Sequence, residues 1–242
     1  MSGDLSKCTA VVTGGSKGYG AGIAEALRQA GAEVWITGRD QAALDATAKR
    51  LGVHAVRADV TCPADWDRLF EALAKAGRLD ILVNNAGAGV HVAPLAEQTD
   101  EEIARGIAVN LTGVFYGCRR AAKVMMKQKS GTIINISSVC ARQAWPGWSV
   151  YSAAKAGLAL LSDCLYTEVR PHGVRVTTLI PSWGATEFAK AANLPAKPAD
   201  VAAQCIQPLE LGRIVVEICS LPPHLVVQDM TVWPRIQEVV PL

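Results

Sequence analysis

The 242-residue sequence predicts an α/β domain in which a doubly wound parallel sheet of about seven strands carries helices on both faces. Two features of the sequence support this prediction. Short runs rich in β-branched residues alternate with longer amphipathic stretches, which is the pattern of repeated strand–helix units. These short runs are apolar almost throughout, as expected of strands that are covered on both faces. Because no repeat, linker or low-complexity segment interrupts the pattern, we expect residues 1–242 to form one domain.

The predicted elements follow one another as strand and helix from residue 9 onward. The strands are expected over residues 9–13, 33–37, 53–57, 81–84, 132–136 and 175–180. The helices are expected over residues 20–30, 41–51, 63–76, 99–126 and 151–168, the fourth opening with a capping box of Thr99 and Glu102. Long irregular stretches follow the strands at residues 86–98, 137–150 and 181–199. Ligands of such sheets bind at the carboxyl ends of the strands, so the segment around 181–200 is expected to cover the substrate.

Composition and charge exclude several classes of protein. Half of the residues are apolar and 19% are charged, so the chain is neither disordered nor collagen-like. The 24 basic residues nearly balance the 22 acidic ones, which gives no electrostatic footprint for nucleic acid or for an anionic membrane. No apolar run reaches the ~18 residues of a membrane span, and the first residues lack a signal pattern, so we expect a cytoplasmic protein. The seven scattered cysteines form no C-x-x-C pair, so neither a disulfide framework nor a metal site is expected.

A glycine-rich turn, TGGSKGYG at residues 13–20, joins the first strand to the first helix. Glycines let the backbone approach a pyrophosphate closely, and the N-terminus of a helix offers free N–H groups and a partial positive charge. The spacing is not that of the G-x-G-x-x-G fingerprint, so a plain tight turn is the alternative. The residues of the turn assigned to cofactor binding are Gly14, Ser16, Lys17, Gly18, Tyr19 and Gly20.

The end of the second strand favours NADP over NAD as the cofactor. Dinucleotide sites often place an acidic residue there to bind the ribose 2′-hydroxyl, whereas this strand runs into Thr37, Gly38 and Arg39. Lys17 and Arg39 are two cations that suit a 2′-phosphate. Two alternatives stay open: Asp40 can face the ribose in place of Arg39, or Arg39 can be an ordinary solvated side chain.

Tyr151 and Lys155 stand four residues apart at the start of a predicted helix, which puts both side chains on one face. A phenol with a pKa of about 10 exchanges protons poorly at neutral pH, and a neighbouring ammonium lowers that pKa. Ser138, thirteen residues before Tyr151, can hydrogen-bond the same substrate oxygen that Tyr151 protonates. A Y-x-x-x-K pair alone also occurs by chance in helices, so these residues need support from other motifs.

Together, these motifs resemble the classical short-chain dehydrogenase/reductase family over residues 7–188. The resemblance rests on TGGSKGYG, on NNAG at residues 84–87, and on Asn110, Ser138, Tyr151 and Lys155. It implies a Rossmann-type fold that binds a nicotinamide cofactor. It also implies that Tyr151 is the general acid and base, and that Lys155 binds the nicotinamide ribose and lowers the phenol pKa. Ser138 would orient the carbonyl group, and Asn110 would hold a water that relays protons through Lys155.

The same resemblance extends the cofactor site. It implies that Asp59 and Val60 contact the adenine, and that Asn85, Ala86 and Gly87 line the floor of the site. Contacts with the nicotinamide carboxamide or a phosphate would come from Pro181, Gly184 and Thr186. The family usually has Pro-Gly after the sixth strand, whereas this chain has Pro181 and Ser182, and Ser is conformationally less free than Gly.

The sequence therefore predicts an NADPH-dependent oxidoreductase that interconverts a ketone or aldehyde and the corresponding alcohol. The C-terminal part is similar to that of carbonyl reductases and 3-hydroxy acid dehydrogenases of the family. It lacks the I-T-G-Q and V-D-G-G segments that are typical of acyl-carrier-protein ketoreductases. A 3-oxoacyl thioester reductase is the alternative enzyme, and a non-catalytic NADP-binding regulatory protein is the alternative of another class.

Aromatic residues in the predicted substrate-covering segments favour a hydrophobic or aromatic substrate. The candidates for this pocket are Gln143, Trp145, Trp148 and Trp183, and simple aromatic packing of the loops is the alternative. The helices over 99–126 and 151–168 carry more small apolar residues than one sheet-facing side needs. Such surplus favours packing between subunits, which in the resembling family makes a homotetramer; a homodimer is the alternative here.

Overall fold

Seven parallel strands form the central sheet of the computed structural model, which describes residues 4–87 and 90–238. In chain order they are β1 (Thr9–Thr13), β2 (Glu33–Gly38), β3 (His54–Arg57), β4 (Ile81–Asn84), β5 (Gly131–Ile136), β6 (Val174–Pro181) and β7 (Asp229–Val232). Their order across the sheet is β3-β2-β1-β4-β5-β6-β7, and each neighbouring pair is parallel. The chain moves from β1 to one edge and then from β4 to the other, so the predicted doubly wound sheet is confirmed.

Helices cover both faces of this sheet. They are α1 (Gly18–Gln29), α2 (Gln41–Leu51), α3 (Pro63–Ala74), α4 (Asp100–Ile107), α5 (Gly113–Gln128), α6 (Ser149–Val169), α7 (Phe188–Ala191), α8 (Ala199–Ala203) and α9 (Pro208–Cys219). On one face α1, α2 and α9 bury residues such as Ile23 and Leu211 against Val12. On the other face α3, α5 and α6 bury residues such as Trp66 against Val11. Neighbouring strand residues point to opposite faces, which is why Val11 and Val12 belong to different halves of the core.

The predicted helix over 99–126 is wrong as one continuous helix. Thr99 and Glu102 form the predicted capping box at the start of α4, but Ala108–Thr112 form a wider π-helical turn between α4 and α5. Asn110 lies in the middle of this turn and is fully buried. Single π-helical turns inside α-helices are frequent at functional sites, and this one turns a candidate catalytic side chain toward the sheet edge.

The prediction also does not include α9 and β7. α9 begins with its own capping box, formed by Gln207 and Glu210, and packs closely against α1. The contact depends on two glycines, because a Cβ atom on Gly212 would lie 2.4 Å from the carbonyl oxygen of Gly22. β7 is a short, half-exposed edge strand without an apolar run, so local pattern alone does not reveal it.

The part of the chain that the structure describes contains no helix with the length and apolar character needed to cross a membrane. Within the same residues, no group of three or more His, Cys, Asp or Glu side chains is arranged to hold a metal ion. All seven cysteines are free thiols. The connections that follow β1 to β6 leave the sheet at its carboxyl edge, and that edge carries the candidate functional residues.

Candidate active site

The glycine turn after β1 packs tightly against the end of β4. Gly14 and Gly18 have positive φ angles of 65° and 55°, which glycine adopts without a steric penalty. A Cβ atom on Gly14 would lie 2.9 Å from the Cα atom of Ala86, and one on Gly20 would lie 2.2 Å from the Gly14 carbonyl oxygen. The turn therefore leaves no room for side chains at these positions, because its backbone packs against the end of β4 and against itself.

α1 begins inside this turn, and its N-terminus has no cap of its own. Lys17 at the N-cap position makes no side-chain hydrogen bond to the helix, and the first turn contains no acidic residue. The Thr47 hydroxyl of α2 donates to the Ser16 carbonyl oxygen at 2.8 Å and so holds the turn in place. The N–H groups and the dipole of an uncapped helix N-terminus attract anions, so this turn fits the phosphates of a dinucleotide.

Asn85 and Ala86, which are predicted to line the cofactor floor, are bound to the end of β1. Their backbone N–H groups both donate to the Thr13 hydroxyl at 3.0 Å, and Asn85 Nδ2 donates to the Thr13 carbonyl oxygen at 2.8 Å. These bonds join β1 to β4 where the strand order changes direction. Ligands of open α/β sheets bind at such a switch point.

The two residues after β2, Arg39 and Asp40, are both exposed, and one of them caps a helix. The Asp40 carboxylate is the N-cap of α2 and accepts from the Ala43 backbone N–H at 3.1 Å. Because this carboxylate caps α2, the alternative in which Asp40 faces the ribose is disfavoured. Arg39 is exposed. A Cβ atom on Gly38 would lie 3.3 Å from the Ser16 hydroxyl, so position 38 faces the glycine turn.

Lys17, the second candidate cation, forms an ion pair that sequence reasoning missed. Its ammonium nitrogen lies 2.9 Å from a carboxylate oxygen of Glu187, and both side chains are 68% exposed. The hydrogen bond and the charge of Lys17 lower the pKa of Glu187. The two residues are far apart in sequence, so nothing local indicates that the segment after β6 reaches the glycine turn.

Asp59 and Val60 lie at the same sheet edge, where they contact neighbouring residues of the protein. The Asp59 carboxylate accepts from the Thr61 backbone N–H at 2.9 Å and from the Thr61 hydroxyl at 2.8 Å. Val60 packs against α5, where a Cβ atom on Gly113 would lie 3.0 Å from it. Both residues shape the loop after β3, and their contact with an adenine stays a prediction.

The predicted catalytic residues meet at the beginning of α6. Tyr151 and Lys155 are buried on one face of the helix, with Lys155 Nζ 5.6 Å from the centre of the Tyr151 ring. Ser138 follows β5 and stands close to the Tyr151 side chain, and its hydroxyl accepts from the Cys140 backbone N–H at 3.2 Å. The structure therefore brings a phenol, an amine and a hydroxyl together at the carboxyl edge.

Lys155 also stands next to Asn110 and Gly87. Its ammonium donates to the Ile136 carbonyl oxygen at 2.8 Å, and its backbone carbonyl accepts from the Ser137 hydroxyl at 3.0 Å. A Cβ atom on Gly87 would lie 3.1 Å from Asn110 Oδ1 and 3.8 Å from Lys155 Nζ. The absence of a side chain at Gly87 thus leaves room directly above the two polar side chains.

Burial controls the ionisation of the phenol and the amine. It raises the pKa of Tyr151 well above that of an ordinary phenol, and the Cys140 thiol acts in the same direction against the Ser138 hydrogen bond. Burial lowers the pKa of Lys155 to about 8. Burial is thus the largest influence on the pKa of the phenol, and the lowering of that pKa by Lys155 stays a prediction from the resemblance. Tyr151 is protonated at neutral pH, which is the form that can donate a proton.

An aromatic wall formed by Trp148 and Phe188 stands beside Tyr151. The Trp148 and Tyr151 rings meet edge to face with centroids 5.7 Å apart, and the Phe188 ring lies 5.4 Å from Tyr151 and 6.3 Å from Trp148. Val90 and Trp145 pack into the same apolar cluster. Sequence reasoning missed Phe188, because it lies 37 residues beyond Tyr151 in a segment without a regular pattern.

The other two candidate pocket residues lie outside this wall. Trp183 is 41% exposed and stacks with the Lys197 ammonium, which lies 5.1 Å from the ring centre. Gln143 is half-buried in the loop after β5, and its backbone N–H donates to the Val139 carbonyl oxygen at 2.9 Å. Of the predicted pocket residues, Trp145 and Trp148 therefore join the apolar cluster around Tyr151, and Trp183 does not.

The segment after β6 lies on the glycine turn. Pro181 ends β6 and pairs with β7. A Cβ atom on Gly184 would lie 2.2 Å from the Tyr19 hydroxyl oxygen, and one on Gly18 would lie 3.5 Å from the Thr186 side chain. The cofactor candidates from the two ends of the sequence are therefore neighbours in the fold.

Comparison with known proteins agrees with this geometry. The family model described as short chain dehydrogenase matches residues 8–197. The protein 3beta-hydroxysteroid dehydrogenase 1 of Eggerthella lenta is 40% identical over 189 residues, which are 75% of this chain and 72% of that protein. The closed form of a serine dehydrogenase complexed with NADP+ has a TM-score of 0.89 at 29% identity, covering 97% of this chain and 98% of that chain. A metagenomic short-chain oxidoreductase in complex with NADP has a TM-score of 0.82 at 31% identity, covering 97% of this chain and 100% of that chain. The chain belongs to the short-chain dehydrogenase family.

Proposed function

We propose that this protein is an NADP(H)-dependent oxidoreductase that interconverts a ketone or aldehyde and the corresponding alcohol. The observation that carries the proposal is the convergence of Ser138, Tyr151 and Lys155 with Asn110 beside the open N-terminus of α1. The serine dehydrogenase and the metagenomic oxidoreductase that share the fold both bind NADP. A purely regulatory NADP-binding protein would not need a buried proton donor and a buried amine, so that alternative is disfavoured.

The residues at the sheet edge fit a dinucleotide. The uncapped N-terminus of α1 would hold the pyrophosphate, Lys17 and Arg39 would bind the 2′-phosphate, and Gly87 would leave room for the nicotinamide ribose. When bound, the reduced nicotinamide supplies the hydride that the carbonyl carbon accepts. Two cations with an uncapped helix end suit a 2′-phosphate, which carries more negative charge than the hydroxyl of NAD.

The protein side chains handle the proton of this reaction. The neutral Tyr151 phenol donates its proton to the carbonyl oxygen as that oxygen gains charge, and the Ser138 hydroxyl donates a hydrogen bond to the same atom. Lys155 donates to the Ile136 carbonyl oxygen and stands over the Tyr151 ring, where it can bind a ribose hydroxyl and pass protons inward. Asn110 next to Lys155 would hold the water through which the proton is replaced. In the oxidation direction Tyr151 accepts the proton instead.

The apolar wall favours a hydrophobic or aromatic carbonyl compound. Trp148 and Phe188 present their rings beside Tyr151, where the reacting carbonyl would lie. Arg142, a basic residue in the loop after β5 that could attract an acidic substrate, is bound to Asp229 at 2.8 Å and to the Thr231 hydroxyl at 2.9 Å. An anionic 3-hydroxy acid or an acyl thioester with a charged carrier is therefore the less favoured substrate.

Tyr151→Phe tests the proposed chemistry. The variant keeps the ring in the aromatic wall but removes the proton, so kcat for carbonyl reduction should fall by about a hundredfold or more, the usual scale for a positioned acid or base. The measurement is NADPH consumption with a panel of aryl ketones, 3-oxo acids and 3-oxoacyl thioesters. The panel distinguishes the proposed substrate class from the thioester alternative in the same experiment.

Direct titration with NADPH provides the control. Tyr151→Phe should change the dissociation constant of NADPH little, whereas Lys155→Ala should weaken binding and slow turnover together, since Lys155 has both tasks. Near-normal turnover of the Tyr151→Phe variant would reject Tyr151 as the acid. Binding of NADPH without reduction of any carbonyl in the panel would favour the regulatory alternative.

We also propose that α5 and α6 form a subunit interface in a homotetramer. Phe115 on α5 is 48% exposed and Leu160 on α6 is 65% exposed, although both helices already cover the sheet with their other sides. Light scattering should give a tetramer at micromolar concentration, and Phe115→Glu with Leu160→Glu should dissociate it by placing charges in the apolar contact. A monomeric wild-type protein would contradict this proposal.

A further inference from the structure

The turn after β6 is bound to the C-terminal segment by the Gln237 side chain and by a backbone hydrogen bond from the Ser182 N–H to the Val232 carbonyl oxygen at 2.9 Å. The Gln237 side-chain oxygen accepts from the Ser182 hydroxyl at 2.6 Å and from the Trp183 backbone N–H at 3.2 Å. Gln237 is itself held by its backbone N–H, which donates to the Pro234 carbonyl oxygen at 3.0 Å. Ser182 is the residue that replaces the usual glycine at this place in the family. Its hydroxyl therefore has a specific partner 55 residues later in the chain.

The same turn also contacts Tyr19. The Tyr19 hydroxyl donates to the Ser182 carbonyl oxygen at 3.4 Å, and the ring occupies the space where a side chain at Gly184 would otherwise lie. Tyr19 stands between Gly18 and Gly20 in the glycine turn, so any movement of residues 182–184 must move Tyr19 or separate from it. The turn is thus held between the C-terminal segment and the cofactor candidates of α1.

The turn also continues directly into the aromatic wall. Glu187, which pairs with Lys17, and Phe188, which contacts Tyr151, follow it within four residues. A displacement of the turn after β6 would therefore change the contacts of two regions, the glycine turn and the aromatic wall beside Tyr151. Ser182 and Gln237 lie on the outer side of this arrangement, and neither is among the groups assigned to proton transfer.

We propose that Gln237 is a positioning residue: by binding Ser182 and Trp183 it holds the turn after β6 against Tyr19 and so sets the shape of the nicotinamide end of the site. The proposal rests on the proposed function, because it assigns the turn to the cofactor. It makes the extreme C-terminal part of the described chain a component of cofactor binding. The bound oxygen is an acceptor only, so a side chain that keeps an acceptor at the same length should replace it.

Gln237→Ala and Gln237→Glu form the test pair. Gln237→Ala should raise the dissociation constant of NADPH by about threefold to tenfold, the scale of one or two hydrogen bonds, and raise KM for the carbonyl substrate with a smaller change in kcat. Gln237→Glu retains the acceptor and should stay within about twofold of the wild type. Ser182→Ala removes one of the two donors, and its effect should not add to that of Gln237→Ala. Fluorescence titration with NADPH measures binding without any turnover.

Gln228→Ala is the matched control on the same C-terminal segment. Its side chain donates to Asp163 at 3.0 Å, away from the turn, so its loss should leave NADPH affinity unchanged. Hydrogen exchange of residues 182–188 should be faster in Gln237→Ala than in Gln228→Ala. If the wild type binds NADPH and Gln237→Ala matches Gln228→Ala in affinity and exchange, this inference is overturned and the proposed function stands. If the wild type binds no NADPH, the proposed function fails first and the cofactor role of Gln237 fails with it.

Discussion

Two consecutive connections, from β1 to α1 and from β2 to α2, differ in how the N-terminus of the helix is capped. The N-terminus of α2 has a side-chain cap, and that of α1 has none. At α2 the Asp40 carboxylate accepts from the backbone N–H of Ala43, so the helix is capped by its own negative charge. At α1 the N-cap residue is Lys17, whose side chain makes no bond to the helix, and glycines surround the first turn. Both helices start at the same sheet edge, yet only α1 presents an N-terminus suited to a phosphate.

The difference also bears on the choice of cofactor. A carboxylate that caps a helix is held there by hydrogen bonds and by the helix dipole, and is less available to a ribose hydroxyl. With Asp40 engaged at α2, Lys17 and Arg39 stay the predicted partners of a 2′-phosphate. The two connections are therefore expected to bind different parts of the cofactor: the first the phosphates, and the second, through Arg39, the 2′-phosphate.

The first expected effect comes from placing a side chain in the glycine turn with Gly14→Ala. Gly14 has a φ of 65°, and an added Cβ atom would lie 2.9 Å from the Ala86 backbone, so the glycine turn must shift. We expect NADPH affinity to fall by at least about tenfold, since an alanine in this left-handed conformation is strained by about 1–3 kcal/mol and the turn loses its fit to the phosphates. Fluorescence titration with NADPH measures the loss.

Gly52→Ala is a matched control for that variant. Gly52 ends α2 with nearly the same φ, 66°, but no other atom lies within 4 Å of an added Cβ. It should lower the unfolding temperature by the strain alone and leave NADPH affinity unchanged. Equal losses of affinity in the two variants would show that general destabilisation, and not the glycine turn, explains the effect.

A change of cofactor preference should follow from moving a negative charge to the end of β2. Gly38→Asp combined with Arg39→Ala places a carboxylate beside Ser16 and removes a cation, so it should reverse a preference for NADP that we expect to be about a hundredfold. A Cβ at position 38 would lie 3.3 Å from the Ser16 hydroxyl and 3.5 Å from Leu44, so the Ser16 side chain must shift by a few tenths of an ångström to admit it. The ratio of kcat/KM for NADPH and NADH is the measurement.

Asp40→Ala distinguishes two roles of Asp40, the capping of α2 and the binding of the ribose. Loss of the cap should reduce the free energy of unfolding by about 1 kcal/mol while the ratio of NADPH to NADH turnover stays within about twofold. If Asp40→Ala instead raises the preference for NADPH several-fold, Asp40 faces the ribose after all. Equal kcat/KM for both cofactors in the wild type would contradict the assignment of Lys17 and Arg39.

Much of the fold follows from local pattern. The bounds of β1, β4 and α2 agree with the prediction, because an apolar β-branched run or an amphipathic stretch between a cap and a glycine determines each one locally. The π-helical turn around Asn110 could not be predicted in this way. A widened turn depends on the tertiary contacts of its buried side chains, and the sequence of a π-helical turn resembles that of an ordinary helix.

In the candidate site too, features that depend on neighbouring residues could be predicted from the sequence, and features that depend on distant residues could not. The placement of Tyr151 and Lys155 on one face follows from their spacing in α6, and the structure shows them together. The direction of the Tyr151 pKa does not follow from spacing, because burial by surrounding elements is its largest cause. The contact between Tyr19 and Gly184 joins residues from opposite ends of the chain, and neither residue alone suggests it.

The smallest expected effect concerns the ion pair between Lys17 in the glycine turn and Glu187. Glu187→Gln should strengthen NADPH binding by about twofold to threefold at low salt, because Lys17 is released from its partner and a negative charge near the 2′-phosphate is removed. NADH lacks that phosphate, so its affinity should not change. The pair is exposed to solvent, and a modest effect of this size is what such pairs contribute.

A salt series and a control variant test whether the gain in NADPH affinity of Glu187→Gln is electrostatic. Salt screens exposed charges, so the gain of Glu187→Gln should disappear at about 0.5 M salt, whereas a gain from altered packing would persist. Glu168→Gln changes the net charge by the same amount at the far end of α6 and should not alter binding of either cofactor. An equal gain for NADPH and NADH in Glu187→Gln would contradict a role for Lys17 at the 2′-phosphate. In that case Glu187 would act through the position of Phe188, which follows it in the chain and contacts Tyr151.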